Sequence, residues 1–303
     1  MKQQQTMIQR VIIACYKKDY WLTEICCSSI RYWYPDIPIS VIYDYSKGAV
    51  DFSKLVNKFG VSVIDLPIKK FGWGLSKIEA LFLPERERVL ILDSDTVLLG
   101  NVIDYLDQFQ EDFVVSADWH SEPHAQWMKE CYFDMNSLLQ IDNQFEFPGY
   151  SFNTGQFVAT TGLLKRSDFE SVIEWHEFPE IKQPNVFACV DQGILNYILP
   201  KAEKENQLTI GKADFLMGIR YPDAAEVKVE ELASKFNPRN KILHWAGCNT
   251  SSIAFMQRPD LLKFYRSLNQ SKPRQMIATV EDQLRFMRFQ QQRVVNKLKR
   301  MVS

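Results

Sequence analysis

The chain has 303 residues, 46% apolar and 24% charged, with a formal net charge of −1. This excludes a disordered or fibrous chain, leaves ample length for a large core in one or two domains, and gives no overall attraction to nucleic acid. Six cysteines without a C-x-x-C pair read as free thiols of a reducing compartment, and the N-terminal apolar run Val11 to Cys15 is too short for a signal-peptide core or a membrane span, so a cytoplasmic protein is expected.

In chain order, Val11 to Cys15 is a branched apolar run and reads as the first strand. Asp19 stands where it can cap a helix running to Tyr34, which Pro35 ends. Ile39 to Tyr43 is a second strand, Phe52 to Phe59 a short helix closed by Gly60, and Val61 to Leu66 a third strand. Ser76 to Leu83 reads as a helix stopped before Pro84. Arg88 to Leu92 is an apolar strand, too short and too branched for a helix, so it reads as buried in a parallel sheet. It runs straight into Asp93-Ser94-Asp95-Thr96. Phe113 to Ala117 is another strand, ending in Asp118 near the acid-bearing strand. The repeating β-α-β pattern predicts an α/β fold with a mostly parallel sheet and helices on both faces.

The second half is more mixed. His124 to Leu139, Asp168 to His176, Val190 to Leu199 and Asp260 to Leu268 read as helices, and Lys201 to Asn206 as a polar loop. Ser151 to Thr160 alternates like a strand, with a glycine that suits a nearby ligand. Lys241 to Trp245 is a short strand ending in His244-Trp245-Ala246-Gly247. Ser271 to Arg274 is the best linker candidate, which divides the chain into a body of residues 1–270 and a tail of residues 271–303. In the tail, Val280, Leu284, Met287, Gln291, Val294, Leu298 and Met301 follow a 4-3-4-3 spacing, one apolar stripe with a single polar break. From Arg285 onward there are six Lys or Arg and no acid, against −7 for residues 1–284. Such a helix can lie on an anionic membrane, as a peripheral contact through residues 280–303, or pack its stripe on the body or on another subunit of an oligomer.

The acid turn carries the chemistry. Asp93 and Asp95 leave the sheet at its carboxyl edge, where open α/β sheets bind ligands. Two hard oxygen ligands on one turn suit Mg²⁺ or Mn²⁺, and such an ion can hold a pyrophosphate and neutralise it as it leaves. The plainer alternative is that Asp93 caps a turn and Asp95 caps a following helix.

Five features in order complete a pattern: the first strand with Tyr16-Lys17-Lys18-Asp19, then Ser76-Lys77, then Leu92-Asp93-Ser94-Asp95-Thr96, then Phe152-Asn153-Thr154-Gly155 with Asp191-Gln192 and Leu195-Asn196, and last His244-Trp245-Ala246-Gly247. Over roughly residues 10–250 the set resembles the GT-A (Rossmann-like) glycosyltransferases, within them the retaining group that includes glycogenin and bacterial lipopolysaccharide galactosyl- and glucosyltransferases. The resemblance implies a metal site of Asp93, Asp95 and His244, and an imidazole ligand tilts the preference toward Mn²⁺. It implies Lys77 on the pyrophosphate or the sugar, Asp118 on sugar hydroxyls, Asn153 on the donor sugar, and close backbone approach at Gly155 and Gly247. Asp191 and Gln192 would line the sugar pocket beside the anomeric carbon as the catalytic pair. Tyr16 would stack on the base, expected to be uracil, with Lys17 or Asp19 at the ribose or base edges and Ser94 within the donor-binding turn. Each has a plain structural alternative: a helix lysine at Lys77, a turn at Asn153, a helix cap at Asp191, a core histidine at His244.

The implied activity is metal-dependent transfer of a hexose from a nucleotide diphosphate sugar, UDP-glucose or UDP-galactose, to a hydroxyl of a glycan or glycolipid acceptor, with retention. If the reaction inverts, a base is needed, and Asp191 is the first candidate. One departure stands out: the group usually places a diphosphate-gripping lysine after His-x-x-Gly, and that position falls at or near Thr250 here. The charge would then come from the metal, Lys77, Arg258 or Lys17. The Trp73 loop reads as one that holds the acceptor or acts as a lid, or equally as a packed anchor. Two alternatives are a non-catalytic sugar-nucleotide binder and a sugar nucleotidyltransferase. The second normally needs a Gly-rich loop after strand one, and Tyr16 to Leu22 contains no glycine.

Overall fold

The computed structural model describes residues 7–72, 74–248 and 252–302, without the side chains of 292, 294 and 296–302. Trp73 and Thr250 therefore lie outside the described residues. In chain order the elements are β1 (Arg10–Tyr16), α1 (Tyr20–Trp33), β2 (Ile39–Asp44), α2 (Ser53–Phe59), β3 (Val61–Val63), α3 (Leu75–Ala80), β4 (Arg88–Asp93), β5 (Thr96–Leu98), α4 (Val102–Leu106), β6 (Phe113–Val115), β7 (Ala117–Trp119), α5 (Gln126–Cys131), α6 (Met135–Ile141), β8 (Tyr150–Phe152), β9 (Gln156–Thr160), β10 (Ile173–Glu174), β11 (Glu180–Ile181), α7 (Val190–Lys204), β12 (Ile210–Lys212), β13 (Leu216–Gly218), α8 (Pro222–Ala225), α9 (Val229–Ala233), β14 (Ile242–His244), α10 (Pro259–Ser267) and α11 (Lys272–Val302).

Among the described residues, seven strands form the central sheet in the order β12-β6-β9-β4-β1-β2-β3. All neighbours run parallel except β9, which is antiparallel to both β4 and β6. The α/β expectation with a mostly parallel sheet therefore holds. β4 shows why its sequence is an unbroken apolar run: Leu90 and Leu92 face α1, α10 and the small β13-β14-β5 sheet, while Val89 and Ile91 face α3, α6 and α7. A strand covered on both faces has no polar side. All six cysteines are free thiols, and Cys26 and Cys27 are buried in α1. No helix among the described residues is long and apolar enough to cross a membrane.

Several local expectations are corrected. His124 to Leu139 is two helices, because the Asp134 carboxylate accepts from Asn136 N (3.1 Å) and Ser137 N (3.3 Å) and starts a new one. Asp168 to His176 is a single turn followed by β10, which pairs with β11; the branched Val172-Ile173 favours strand, and Asp168 closes its own turn onto Lys165 N at 2.7 Å. Lys201 to Lys204 continues α7 rather than forming a loop, held by Lys201 on Asp142 and by Glu203 on Lys212 and Ile210 N. Phe113 to Ala117 breaks at Ser116: β6 lies in the main sheet with β9 between it and β4, and β7, which carries Asp118, pairs with β8 in a separate sheet. Ser151 to Thr160 is likewise two strands, interrupted at Asn153-Thr154-Gly155. The third strand ends at Val63, and α11 begins at Lys272, inside the expected linker.

Candidate active site

β4 leaves the sheet at Asp93. Its amide donates to Gly155 O (2.7 Å), and Thr96 Oγ1 donates back to Asp93 O (2.8 Å), closing a turn into β5. A strand follows Asp95, so Asp95 caps no helix. β5 pairs antiparallel with β14, with Thr96 opposite His244, and this register carries His244 across to the acids. His244 Nε2 lies 3.2 Å from Asp95 Oδ1 and 3.8 Å from Asp93 Oδ2, and one ligand atom from each of the three falls within 4.8 Å of the others. Adjacent ligands of an octahedral ion bound at about 2.1 Å lie about 3 Å apart, so the three residues fit a divalent cation. Among the described residues, the buried His244 Nδ1 has no hydrogen-bond partner.

Gly155 makes room for this ring. A methyl group there would sit 2.1 Å from His244 Cε1 and 2.8 Å from Nε2. Charge in the cluster is balanced within it. Burial opposes the charge on His244, but Asp95 outweighs it and the imidazole pKa is raised. Burial also opposes the Asp95 charge, but His244 holds that carboxyl below its usual range. Burial pushes Asp93 upward despite Lys77. A proton on His244 and a divalent cation are alternative ways of balancing two acids on one turn.

Lys77, on α3, links this turn to α7. Its Nζ lies 2.7 Å from Asp93 Oδ1, 2.8 Å from Asp191 Oδ2 and 3.1 Å from Thr154 O. Those three contacts use its three N–H donors. Burial opposes its charge, but Asp191 and Asp93 outweigh it and the pKa is raised. Asp191 also accepts from Thr154 Oγ1 (2.7 Å) and is 5% exposed. It does not cap α7; the residue at the cap is Cys189. Gly74, at φ +86°, lets Asp191 approach, since a Cβ there would lie 2.3 Å from Asp191 Oδ1.

Beside this pair, Asn153 Nδ2 donates to Gln192 Oε1 (2.8 Å), and Asn153 Oδ1 accepts from Gly155 N (2.8 Å). Gln192 in turn donates to Cys131 O (2.8 Å). Asn196 fixes the approach: its amide binds Phe152 N (2.9 Å), Phe152 O (2.8 Å) and Gln192 O (2.7 Å). Asp93, Ser94, Asp95, Lys77, Asn153, Gly155, Asp191, Gln192 and His244 thus form one connected edge.

The remaining expected residues lie around it. Tyr16 is half-buried and shares a hydrogen bond with Asp19; burial, with Asp19 and Asp95 nearby, pushes its phenol up to about 12. Lys17 is exposed, with its Nζ beside Gly48. Asp118 is exposed on β7 and lines a separate 280 Å³ pocket with Trp119, Asp214 and Tyr221. Arg258 is bound to Ala224 O, Val227 O and Asp260, away from the acid turn. The cation that does reach the Gly247 turn is Arg220, whose Nη2 lies 3.2 Å from Gly247 O. It follows β13, where Gly218 pairs with His244, and it is exposed. Spacing in the sequence gives no sign of it; only the β13-β14 pairing brings it to the site.

No protein-family model and no curated protein matches the sequence. Solved structures do. The bifunctional glycosyltransferase WbbM superimposes with a TM-score of 0.54 at 15% identity, over 89% of this chain and 51% of WbbM. The glycosyltransferase GlyE of Streptococcus pneumoniae TIGR4 gives 0.51 at 16% identity, over 86% of this chain and 60% of GlyE. The fold is GT-A. An active-site mutant of LgtC also gives 0.51, at 13% identity, over 86% of this chain and 96% of LgtC. The chain thus spans about half the length of WbbM and 60% of GlyE.

Proposed function

We propose that this protein is a metal-dependent glycosyltransferase that moves a hexose from a nucleotide diphosphate sugar, UDP-glucose or UDP-galactose, to an acceptor hydroxyl of a glycan or glycolipid. The observation that carries the reading is the meeting of Asp93, Asp95 and His244 at the carboxyl edge of a GT-A sheet, braced by Lys77–Asp191 and Asn153–Gln192. Asp93, Asp95 and His244 would hold Mn²⁺ or Mg²⁺, which supplies stabilisation of the negative charge developing on the departing diphosphate. Lys77 orients Asp93 and Asp191 and has no donor left for phosphate. Arg220 is the exposed cation that meets the diphosphate in place of the absent lysine. Asp191, buried and ion-paired, is poorly placed to take a proton, which favours retention with the leaving phosphate as base. Gln192 and Asn153 present amides to the sugar.

The test is thermal stabilisation by UDP, GDP, ADP and CDP, each with and without Mn²⁺, in wild type and Asp95→Ala. A ligand that binds only the folded state raises stability by mass action. The expected result is a shift with UDP that needs both Mn²⁺ and Asp95. No metal-dependent shift with any nucleotide, or transfer at the wild-type rate by Asp95→Ala, would overturn the reading.

A further inference from the structure

Helix α11 is two-sided in a way that its sequence stripe does not reveal. One side faces the body: Ala278 and Asp282 are buried, Asp282 pairs with Arg266 Nη1 at 2.7 Å, and the rings of Phe286 and Phe289 lie 5.2 and 4.7 Å from that of Phe255. The opposite side is apolar and in water. Met276 is 73% exposed, Ile277 50%, Val280 54%, Leu284 48%, Met287 56% and Val295 48%. Among the described side chains, the stripe residues Val280, Leu284 and Met287 therefore do not pack on this chain's own body.

We propose that this face is the contact between two copies of the chain, joined helix to helix along α11. Three observations select a second copy. The spacing is that of a coiled-coil seam: Ile277, Val280, Leu284, Met287 and Gln291 alternate by three and four, and the lone polar Gln291 sits at a seam position, where such a residue fixes register. The exposed area is of the right size. The six residues leave roughly 500 Å² of apolar surface in water, at the upper end for a monomer; doubled across a two-fold axis, the roughly 1,000 Å² reaches the threshold for a specific interface. The charge fits an antiparallel pairing, in which the +6 end of one helix runs toward the partner copy's body of net charge −7 instead of lying beside the other +6 end.

A membrane fits this face less well. Met276, Ile277, Val280 and Leu284 lie in a stretch, residues 272–284, with two bases and two acids and no net charge. The aromatic residues that would anchor at an interface, Phe286 and Phe289, are turned onto Phe255.

The experiment is light scattering coupled to size exclusion on the full chain, at micromolar concentration, for wild type and Leu284→Glu/Met287→Glu. The expected result is twice the 35.4 kDa chain mass for wild type and a single chain mass for the variant. The variant should fold and keep its nucleotide-induced shift, because Leu284 and Met287 lie on the exposed side of α11, while its melting temperature no longer rises with protein concentration as that of a dimer does. Wild type running as a monomer overturns the proposal, as does a variant that stays dimeric. Co-sedimentation with phosphatidylglycerol-containing vesicles is run in parallel. A monomeric wild type captured by them, with capture abolished in the variant, assigns the face to lipid and overturns the proposal too.

Discussion

Gly155→Ala is the sharpest probe of the metal site, because it adds one methyl group and touches one ring. The backbone at Gly155 is not left-handed, so alanine strains nothing there by itself. Its Cβ, however, would lie 2.1 Å from Cε1, 2.5 Å from Nδ1 and 2.8 Å from Nε2 of His244. His244 is 4% exposed and cannot swing out to solvent, so the ring must move relative to Asp95 Oδ1, now 3.2 Å away. Overpacking of this kind costs about 1–3 kcal/mol of stability. Misorienting a ligand ring should cost about 10–100-fold in metal affinity, the range seen when ligand-orienting groups are lost. Stability is read from urea unfolding and Mn²⁺ affinity from electron paramagnetic resonance titration. The decisive comparison is a double-mutant cycle with His244→Ala. With the ring gone, Gly155→Ala should cost almost nothing, leaving a coupling of about 1–3 kcal/mol. Equal costs in both backgrounds, or unchanged Mn²⁺ affinity in Gly155→Ala, would refute the steric reasoning.

Three further outcomes follow from the same geometry. Lys77→Met strands Asp93 and Asp191 without their shared cation and should cost about 3–5 kcal/mol in urea unfolding, while Lys77→Met/Asp191→Leu should recover part of the loss; a single variant as stable as wild type would show that the pair is not formed. Arg220→Ala should weaken UDP about 10-fold by calorimetry with Mn²⁺ present and leave uridine unaffected, since a guanidinium acts on phosphate charge; equal loss for both would place Arg220 away from the diphosphate. Asp142 is opposed by burial but held below its usual range by Lys201 and Tyr197. A lowered folded-state pKa gives stability that is present above the unfolded value and lost as pH falls through the folded one. Wild type should therefore exceed Asp142→Asn by about 1 kcal/mol at pH 7, the gap shrinking as the pH falls below the ordinary carboxylate range; a gap that does not shrink on acidification would contradict it.

How far the sequence could carry the site depends on whether each contact is local. The acid turn was legible because strand and acids are contiguous: Val89 to Leu92 must be buried on both faces, so Asp93 and Asp95 must emerge at an edge. His244 was legible only through the ordered resemblance, since its meeting with Asp95 is made by the β5-β14 pairing. The breaks at Asp134 and Ser116 were missed for a related reason. Asp134 fits an apolar-periodic helix as well as it fits a cap, and only the two amides it accepts decide between them. Lys77 looked like a free phosphate ligand because a sequence names a cation but not its partners, and α7 docking against Gly74 brings Asp191 to it.

Arg220 and α11 show the same limit from the other side. The lysine expected after Gly247 is absent, and the nearest replacement in the chain, Arg258, is consumed by two carbonyls and Asp260. A residue far from any motif takes the place beside Gly247 because β13 runs parallel to β14 and the chain continues past Gly218 on the same edge. On α11 the spacing puts Val280, Leu284 and Met287 on one face but does not give its direction. Phe286 and Phe289, outside the stripe, make the body contacts, and this is what leaves Val280, Leu284 and Met287 facing water. Periodicity thus fixes which residues share a face, whereas the packing of bulky side chains elsewhere on the helix fixes what that face meets.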